Sequence, residues 1–235
     1  MRRRFLVESF AGGSAVVRGA EAHHLGRVLR ARRGQLYELS DGQEVWLGRV
    51  AAVARDAVEF VLVEPVAAVE WPFETAVLLS IIRFARFEWC LEKATEMGAA
   101  IIQPVAAARS ERALVAASAR RLARWGKIAR EAAEQSRRVR APLVAAPLAA
   151  ADAFRQSAAE SKVLLSERPG APPLAALASA RSVALAFGPE GGWTEQELAA
   201  ARAAGFAEAS LGPLVLRTET AVIAAMALVL LGQRV

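Results

Sequence analysis

Phe187-Gly188-Pro189-Glu190-Gly191-Gly192-Trp193-Thr194 joins two different kinds of sequence. Before it, Ser182 to Phe187 is an apolar run of strand length. After it, Thr194 to Ala204 has a helical pattern, with Thr194 as the capping residue and Gly205 as the stop. Three glycines at such a junction let the backbone turn sharply and approach a ligand closely. In open parallel sheets, ligands bind where strands end and the chain turns. A second junction follows in Leu211-Gly212-Pro213-Leu214-Val215-Leu216-Arg217-Thr218-Glu219-Thr220-Ala221. It leads from a short strand, Ala207 to Leu211, into a closing helix, Thr220 to Leu231. Glycine turns and threonine caps are common, so either junction alone is a weak signal; two in one C-terminal half point to a site.

Working back from these turns, the chain alternates between strands and helices. Ala76 to Ile82 reads as a buried strand, and Phe87 to Met97 as a helix closed by Gly98. Ala100 to Val105 is a strand, Ala113 to Gln135 one long helix, and Lys162 to Leu165 another strand. Apolar strands alternating with helices predict an α/β fold with a mostly parallel sheet. The first seventy residues have a different rhythm. Leu36 to Ser40 and Glu44 to Val50 flank the turn signal Asp41-Gly42, and Val58 to Val63 is a further strand. With a short helix from Glu21 to Arg30, this part is expected to form a compact barrel of short strands. Glu64 to Pro72 reads as a linker, giving two domains, 1–70 and 71–235.

Charge bounds the partners. The chain carries 30 Lys and Arg against 24 Asp and Glu, and 27 of the 30 are arginine. The scarcity of lysine and wealth of alanine fit a GC-rich coding bias, but that bias does not explain where the charges sit. Eight arginines lie up to Arg33, against Glu8 and Glu21; ten Arg and Lys lie between Arg109 and Arg140, against three Glu. Two basic blocks separated by near-neutral chain suggest one polyanion-binding face. Its candidate contacts are Arg2, Arg3, Arg4, Arg27, Arg30, Arg32 and Arg33 in the first block. In the second they are Arg120, Arg124 and Lys127, at spacings that share a helix face, with Arg137, Arg138 and Arg140.

Several chemistries drop out. The lone Cys90 cannot build a disulfide framework, and His23 and His24 are the only histidines, so no metal site is expected. The phosphate loop G-x-x-x-x-G-K-[ST], an early G-x-G-x-x-G and the hydrolase G-x-S-x-G are all missing. The longest apolar run, Ala221 to Leu231, falls well short of the roughly 20 residues that span a bilayer. Basic Met1-Arg2-Arg3-Arg4-Phe5 is not followed by the apolar core of a secretion signal. No membrane association is expected, and the expected location is the cytoplasm.

Four stretches carry a family resemblance: Arg86-Phe87-Glu88-Trp89 with Glu92-Lys93-Ala94-Thr95-Glu96-Met97-Gly98, then Glu131-Ala132-Ala133-Glu134-Gln135-Ser136-Arg137-Arg138, then the glycine turn, then Leu216-Arg217-Thr218-Glu219-Thr220-Ala221. Together, and in this order, they resemble the bacterial small-subunit (16S) ribosomal RNA uridine-N3 methyltransferase family of the SPOUT superfamily. The N-terminal part is similar to that family's small RNA-binding, PUA-like barrel. The resemblance implies a SPOUT domain with a deep trefoil knot, a rare exception to unknotted connections. It implies S-adenosylmethionine bent among three loops, at Leu165, at Gly188, Pro189, Glu190, Gly191 and Gly192, and at Leu211, Gly212 and Leu216. It also implies a homodimer formed through the knot region, acting on 16S ribosomal RNA or the small subunit.

The chain departs from the family pattern in three places. Arg83-Phe84-Ala85-Arg86 stands where Lys-Gly-Asp-Arg is usual, which keeps Arg86 as a candidate RNA contact but loses a glycine. Arg137 stands where glycine commonly follows the glutamine-serine pair, and Leu214 where arginine is frequent. Beside the expected cofactor loops, Arg217 is the candidate for stabilising charge on the target base, and Glu219 for orienting it or accepting its proton. The competing reading pairs Arg217 with Glu219 as a loop brace. Two further functions compete: a SPOUT methyltransferase for another RNA, and a non-catalytic ribosome-assembly protein that binds RNA. A ribose 2′-O specificity is disfavoured, because such relatives carry an asparagine motif and this chain has no asparagine.

Overall fold

The computed structural model describes residues 3–68, 73–174 and 181–232. The chain divides into two compact units, Met1–Glu70 with Ala133–Ala141, and Trp71–Ala132 with Pro142–Val235. Arg2 and the last residues of the expected linker, 69–72, lie outside the described residues. No helix among the described residues is long and apolar enough to cross a membrane.

The first unit is a curled five-stranded sheet. Its elements are β1 (Arg4–Leu6), β2 (Ser14–Arg18), helix α1 (Gly19–His23), β3 (Leu36–Ser40), β4 (Val45–Val53) and β5 (Ala57–Pro65). The strand order is β1-β3-β4-β5-β2, with β1 parallel to β3 and the other pairings antiparallel. Asp41 makes the β3–β4 turn, its carboxylate accepting from the amides of Gln43 and Glu44. Two register shifts in β4 bend the sheet. The fold-over is tight at Gly48, where a Cβ would stand 2.4 Å from Leu39 Cδ1. Phe5, Leu25, Leu39, Val50 and Phe60 fill the core. The helix expected over Glu21–Arg30 is shorter. After α1 the chain widens into a π-turn, His24–Val28, and stops at Arg30 in the left-handed region, φ +53°.

Residues 133–141 complete this unit through a buried ion network. Arg4 is 5% exposed, and its guanidinium donates to Glu38 Oε2 at 2.9 Å and to the carbonyl of Arg137. Arg137 in turn donates to the other Glu38 oxygen. Its backbone is left-handed, φ +59°, because it closes a helix: the amides of Arg137 and Arg138 return to the carbonyls of Glu134 and Ala133. That is the position where glycine is least costly. Arg137 offsets the backbone strain with its bond to Glu38.

The second unit contains β6 (Glu74–Ser80), α2 (Phe84–Glu96), β7 (Ala99–Ala106), α3 (Arg112–Ser118), α4 (Leu122–Gln135), β8 (Leu143–Val144), β9 (Leu148–Ala149), α5 (Ala150–Gln156), β10 (Ser161–Leu165), β11 (Ser182–Phe187), α6 (Glu195–Ala203), β12 (Ala207–Ala209) and α7 (Thr218–Gly232). The last turn of α4 belongs to the first unit. The order is β12-β10-β11-β6-β7-β8, with β9 also on β7, and every pairing is parallel. Side chains alternate faces along each strand, so both faces are apolar. Val77, Leu79, Val163, Leu165, Val183, Leu185 and Phe187 pack under α2, α4 and α7. Leu78, Leu164, Ala184 and Ala186 pack under α5 and α6. The long helix expected over Ala113–Gln135 is interrupted by a 3₁₀ turn at Ala119–Arg121. There the buried Ser118 hydroxyl donates to the carbonyl of Val115, competing with the regular helical bond.

Candidate cofactor and catalytic site

Because β12 pairs with β10 and β10 with β11, the carboxyl ends of these strands lie side by side. Three loops leave from that edge. Ser166 follows β10, the glycine turn follows β11, and Ser210–Arg217 follows β12. Each is pinned to its neighbours. The Trp193 indole donates through Nε1 to the Leu165 carbonyl at 3.2 Å, tying the turn to the β10 loop. The Ser166 amide donates to the carbonyl of Ala209. Thr218, opening α7, donates its hydroxyl to the Gly188 carbonyl at 3.2 Å.

The turn is braced from behind as well. Arg109 donates through Nη1 to the carbonyls of Gly191 at 2.6 Å and Trp193 at 3.4 Å. Its aliphatic stem lies where a Cβ on Gly191 would be, 3.3 Å away. Thr194 caps α6 in a reciprocal box with Glu197. The other Glu197 oxygen accepts from the amide of Ala108 at 2.8 Å. The Trp193 ring is buried against Phe154, with centroids 5.5 Å apart.

Between the loops is a cavity of about 240 Å³. Of the residues that the resemblance assigns to the cofactor, Leu165, Gly188, Pro189, Glu190, Gly192, Leu211, Gly212 and Leu216 line it. Gly191 lines the neighbouring cavity instead. Trp193, Thr218 and Glu167 also line this cavity and were not read from the sequence. A buried tryptophan directly after a glycine turn was the available signal. The walls offer leucines for a flat apolar group, backbone and hydroxyl groups for polar edges, and Glu167 and Glu190 for a cation or hydroxyls.

Arg217 and Glu219, the two candidate catalytic residues, are separated by the structure. Arg217 lines the cavity, is exposed, and has no side-chain hydrogen bond or ion pair among the described residues. Glu219 pairs with Arg86 at 3.8 Å, and Arg86 also reaches Glu190 at 3.6 Å. The competing reading, an Arg217–Glu219 brace, is not met: Glu219, in the first turn of α7, pairs with Arg86 instead. Burial, and then the Glu219 charge, push the Cys90 thiol up to about 12. That cysteine is packing, with no thiolate at neutral pH. Among the described residues no group of three or more His, Cys, Asp or Glu is placed to hold a metal.

The arginines assigned to RNA fall into distinct environments. In the first unit Arg3, Arg27, Arg30, Arg32, Arg33 and Arg140 are exposed, while Arg4 and Arg137 are committed to Glu38. Burial, and then the charge of Arg140, lower the Arg138 guanidinium to about 10, so it stays cationic at neutral pH. On the second unit Arg120 is exposed, Arg124 forks onto Glu88 at 2.8 Å, and Lys127 pairs with Glu131 at 3.7 Å.

Two family profiles match this chain: an RNA methyltransferase domain over residues 69–230, and an RNA methyltransferase PUA domain over residues 17–63. It is similar to the ribosomal RNA small subunit methyltransferase E of Synechocystis sp., 36% identical over 216 residues, covering 88% of this chain and 70% of that protein. The corresponding protein of Bacillus subtilis is 30% identical over 223 residues, covering 89% of this chain and 87% of the relative. Among solved structures, ribosomal RNA small subunit methyltransferase E from Neisseria gonorrhoeae, bound to S-adenosyl methionine, superposes with a TM-score of 0.88. It is 30% identical and covers 97% of this chain and 96% of the other.

Proposed function

The chain belongs to the RNA methyltransferase family, in the group of ribosomal RNA small subunit methyltransferase E, and we propose that it methylates N3 of a uridine in 16S ribosomal RNA with S-adenosylmethionine. The observation that carries this reading is the cavity at the ends of β10, β11 and β12. Its residues fit that cofactor. Leu165, Leu211 and Leu216 would sandwich the adenine, and Gly188 and Gly192 would let backbone approach the sugar and amino-acid parts. Glu167 and Glu190 would face the hydroxyls or the cationic groups. When bound, S-adenosylmethionine supplies a methyl group already activated by a positive sulfur.

The chain's own task is then to position a base and manage one proton. Uracil N3 carries a proton that must leave before its lone pair can attack. Arg217 lines the cavity with no side-chain partner among the described residues, and there its charge would stabilise the developing uracil anion. Glu219 is held by Arg86, and this supports a role in orienting the loop for that contact. Holding the base against the reactive group supplies much of the rate, by proximity. A domain boundary near residue 70 and a trefoil knot are parts of the same proposal. In favour of the knot, the start of α7 lies against the glycine turn, with Thr218 bonded to Gly188. A homodimer is supported by the outward side of α7, where Ile223, Ala224, Ala227 and Leu228 are only partly covered. The exposed arginines of both basic blocks would contact RNA phosphates, and the cytoplasm is the proposed location.

The test incubates the protein with labelled S-adenosylmethionine and either bare small-subunit RNA or whole small subunits, and maps the label by mass. Label on a single uracil N3 is the expected result. Label on ribose, or on protein, overturns the assignment.

A further inference from the structure

A second cavity, of about 440 Å³, shares Glu190 and the glycine turn with the cofactor cavity. Its charged lining is Arg83, Arg86, Arg109, Glu111 and Glu190. Arg86 spends its charge on Glu190 and Glu219. That single charge is shared by two carboxylates, so it offsets Glu190 in part. Arg109 bonds only carbonyls, and Arg83 has no side-chain partner among the described residues, so the three arginines of the lining exceed Glu111 and Glu190 by one positive charge. The amino end of the 13-residue helix α2 opens at Arg83 and carries no acidic residue in its first turn. Its dipole adds to the same sign of potential. Concave low-dielectric walls focus such a field.

We propose that this cavity is an anion subsite that takes a backbone phosphate of the RNA strand beside the target nucleotide. The proposal rests on the methyltransferase reading above and extends it to the substrate's anchoring. The shared wall is the geometric reason. A strand whose base enters the first cavity would carry its adjoining phosphates past Glu190 toward the space that Arg83 and Arg109 line. Arg86 then has a double use, bracing Glu219 at the start of α7 and offsetting part of the Glu190 charge that would repel the strand. Glu111 is the other opposing charge, and it makes no side-chain cap bond on α3.

The experiment titrates small-subunit ribosomal RNA onto the full chain between 50 and 200 mM salt, values at which phosphate contacts separate clearly. Arg83→Gln is expected to weaken RNA binding about tenfold at low salt and to lower the salt slope by about one. Glu111→Gln is expected to tighten binding about threefold by removing the opposing charge, a gain that no folding defect can imitate. Neither residue lines the cofactor cavity, so S-adenosylmethionine affinity stays within about twofold for both, the size of an exposed-charge effect. An unchanged slope for Arg83→Gln, or no gain for Glu111→Gln, overturns the subsite. A wild-type protein that binds both ligands yet transfers no label instead removes the proposed reaction, through a separate readout.

Discussion

The glycine turn and the loop after β12 wall the same cavity but are held in opposite ways. The turn is fixed by Trp193 on Leu165, Arg109 on Gly191, Thr218 on Gly188 and the capping box of α6. The loop is held at its start, where Ser210 bonds Gly212 through its hydroxyl and Pro172 and Leu174 through its backbone, and its tip stands open. Leu214 is 76% exposed and Val215 82%. The first wall is tied down by bonds inside the protein; the second presents exposed apolar side chains, and an Arg217 with no side-chain partner among the described residues, to whatever arrives. A site arranged this way is preorganised toward one ligand and adaptable toward the other. That matches a small cofactor of fixed shape and a large RNA that must bring its own surface.

The largest effect is expected on the adaptable wall. Arg217→Ala should lower turnover about 10²–10³-fold, the usual loss for one charge-stabilising donor. The dissociation constant for S-adenosylmethionine, read by calorimetry, should stay within a factor of two. If cofactor binding collapses with turnover, Arg217 belongs to the fixed wall and the contrast is wrong. Gly188→Val should behave in the reverse sense. A Cβ at residue 188 would stand 3.2–3.3 Å from the Trp193 indole, which is buried and cannot retreat. Overpacking of this kind costs about 1–3 kcal/mol. Cofactor affinity should therefore fall about 10–100-fold, with the RNA dissociation constant little changed.

The sequence marked these two walls unequally for the same reason. Glycine, proline and threonine at strand–helix junctions are local signals, and eight of the residues that the resemblance assigns to the cofactor line one cavity. The parallel sheet was equally readable, because strands covered on both faces are continuously apolar. What could not be read depends on contacts remote in sequence: Arg109 on Gly191, 82 residues apart, or Arg86 between Glu190 and Glu219. Two further features needed the backbone itself. Ser118 interrupts a helix that looks continuous in sequence, and Arg137 adopts a glycine conformation stabilised by a carboxylate 99 residues away. The Arg217–Glu219 brace fails on such a remote contact, since Glu219, in the first turn of α7, pairs with Arg86 instead.

Trp193→Phe is a finer probe of the fixed wall. It keeps the ring on Phe154 but removes the bond to Leu165, leaving a buried carbonyl unsatisfied. That costs about 1–3 kcal/mol, or a drop of about 2–10 °C in thermal midpoint for a chain of this size. Cofactor binding should weaken several-fold in step, because the β10 loop loses its anchor. An unchanged midpoint would show that the turn is held by packing alone.

The smallest effect is reserved for Val215→Ser, and it decides whether the loop is adaptable or only exposed. A side chain this open contributes little to the free protein, so stability should move by less than about 0.5 kcal/mol and the thermal midpoint by less than about 2 °C. In the complex the same side chain is expected to be covered, where each buried methylene is worth about 0.8 kcal/mol. Replacing the two methyls by one hydroxyl should then raise the RNA concentration for half-maximal rate a few-fold, leaving turnover at saturation untouched. A midpoint that falls by several degrees would mean that Val215 is packed in the free protein. The loop would then be a second fixed wall, and adaptability would have to be sought in the exposed arginines of the two basic blocks.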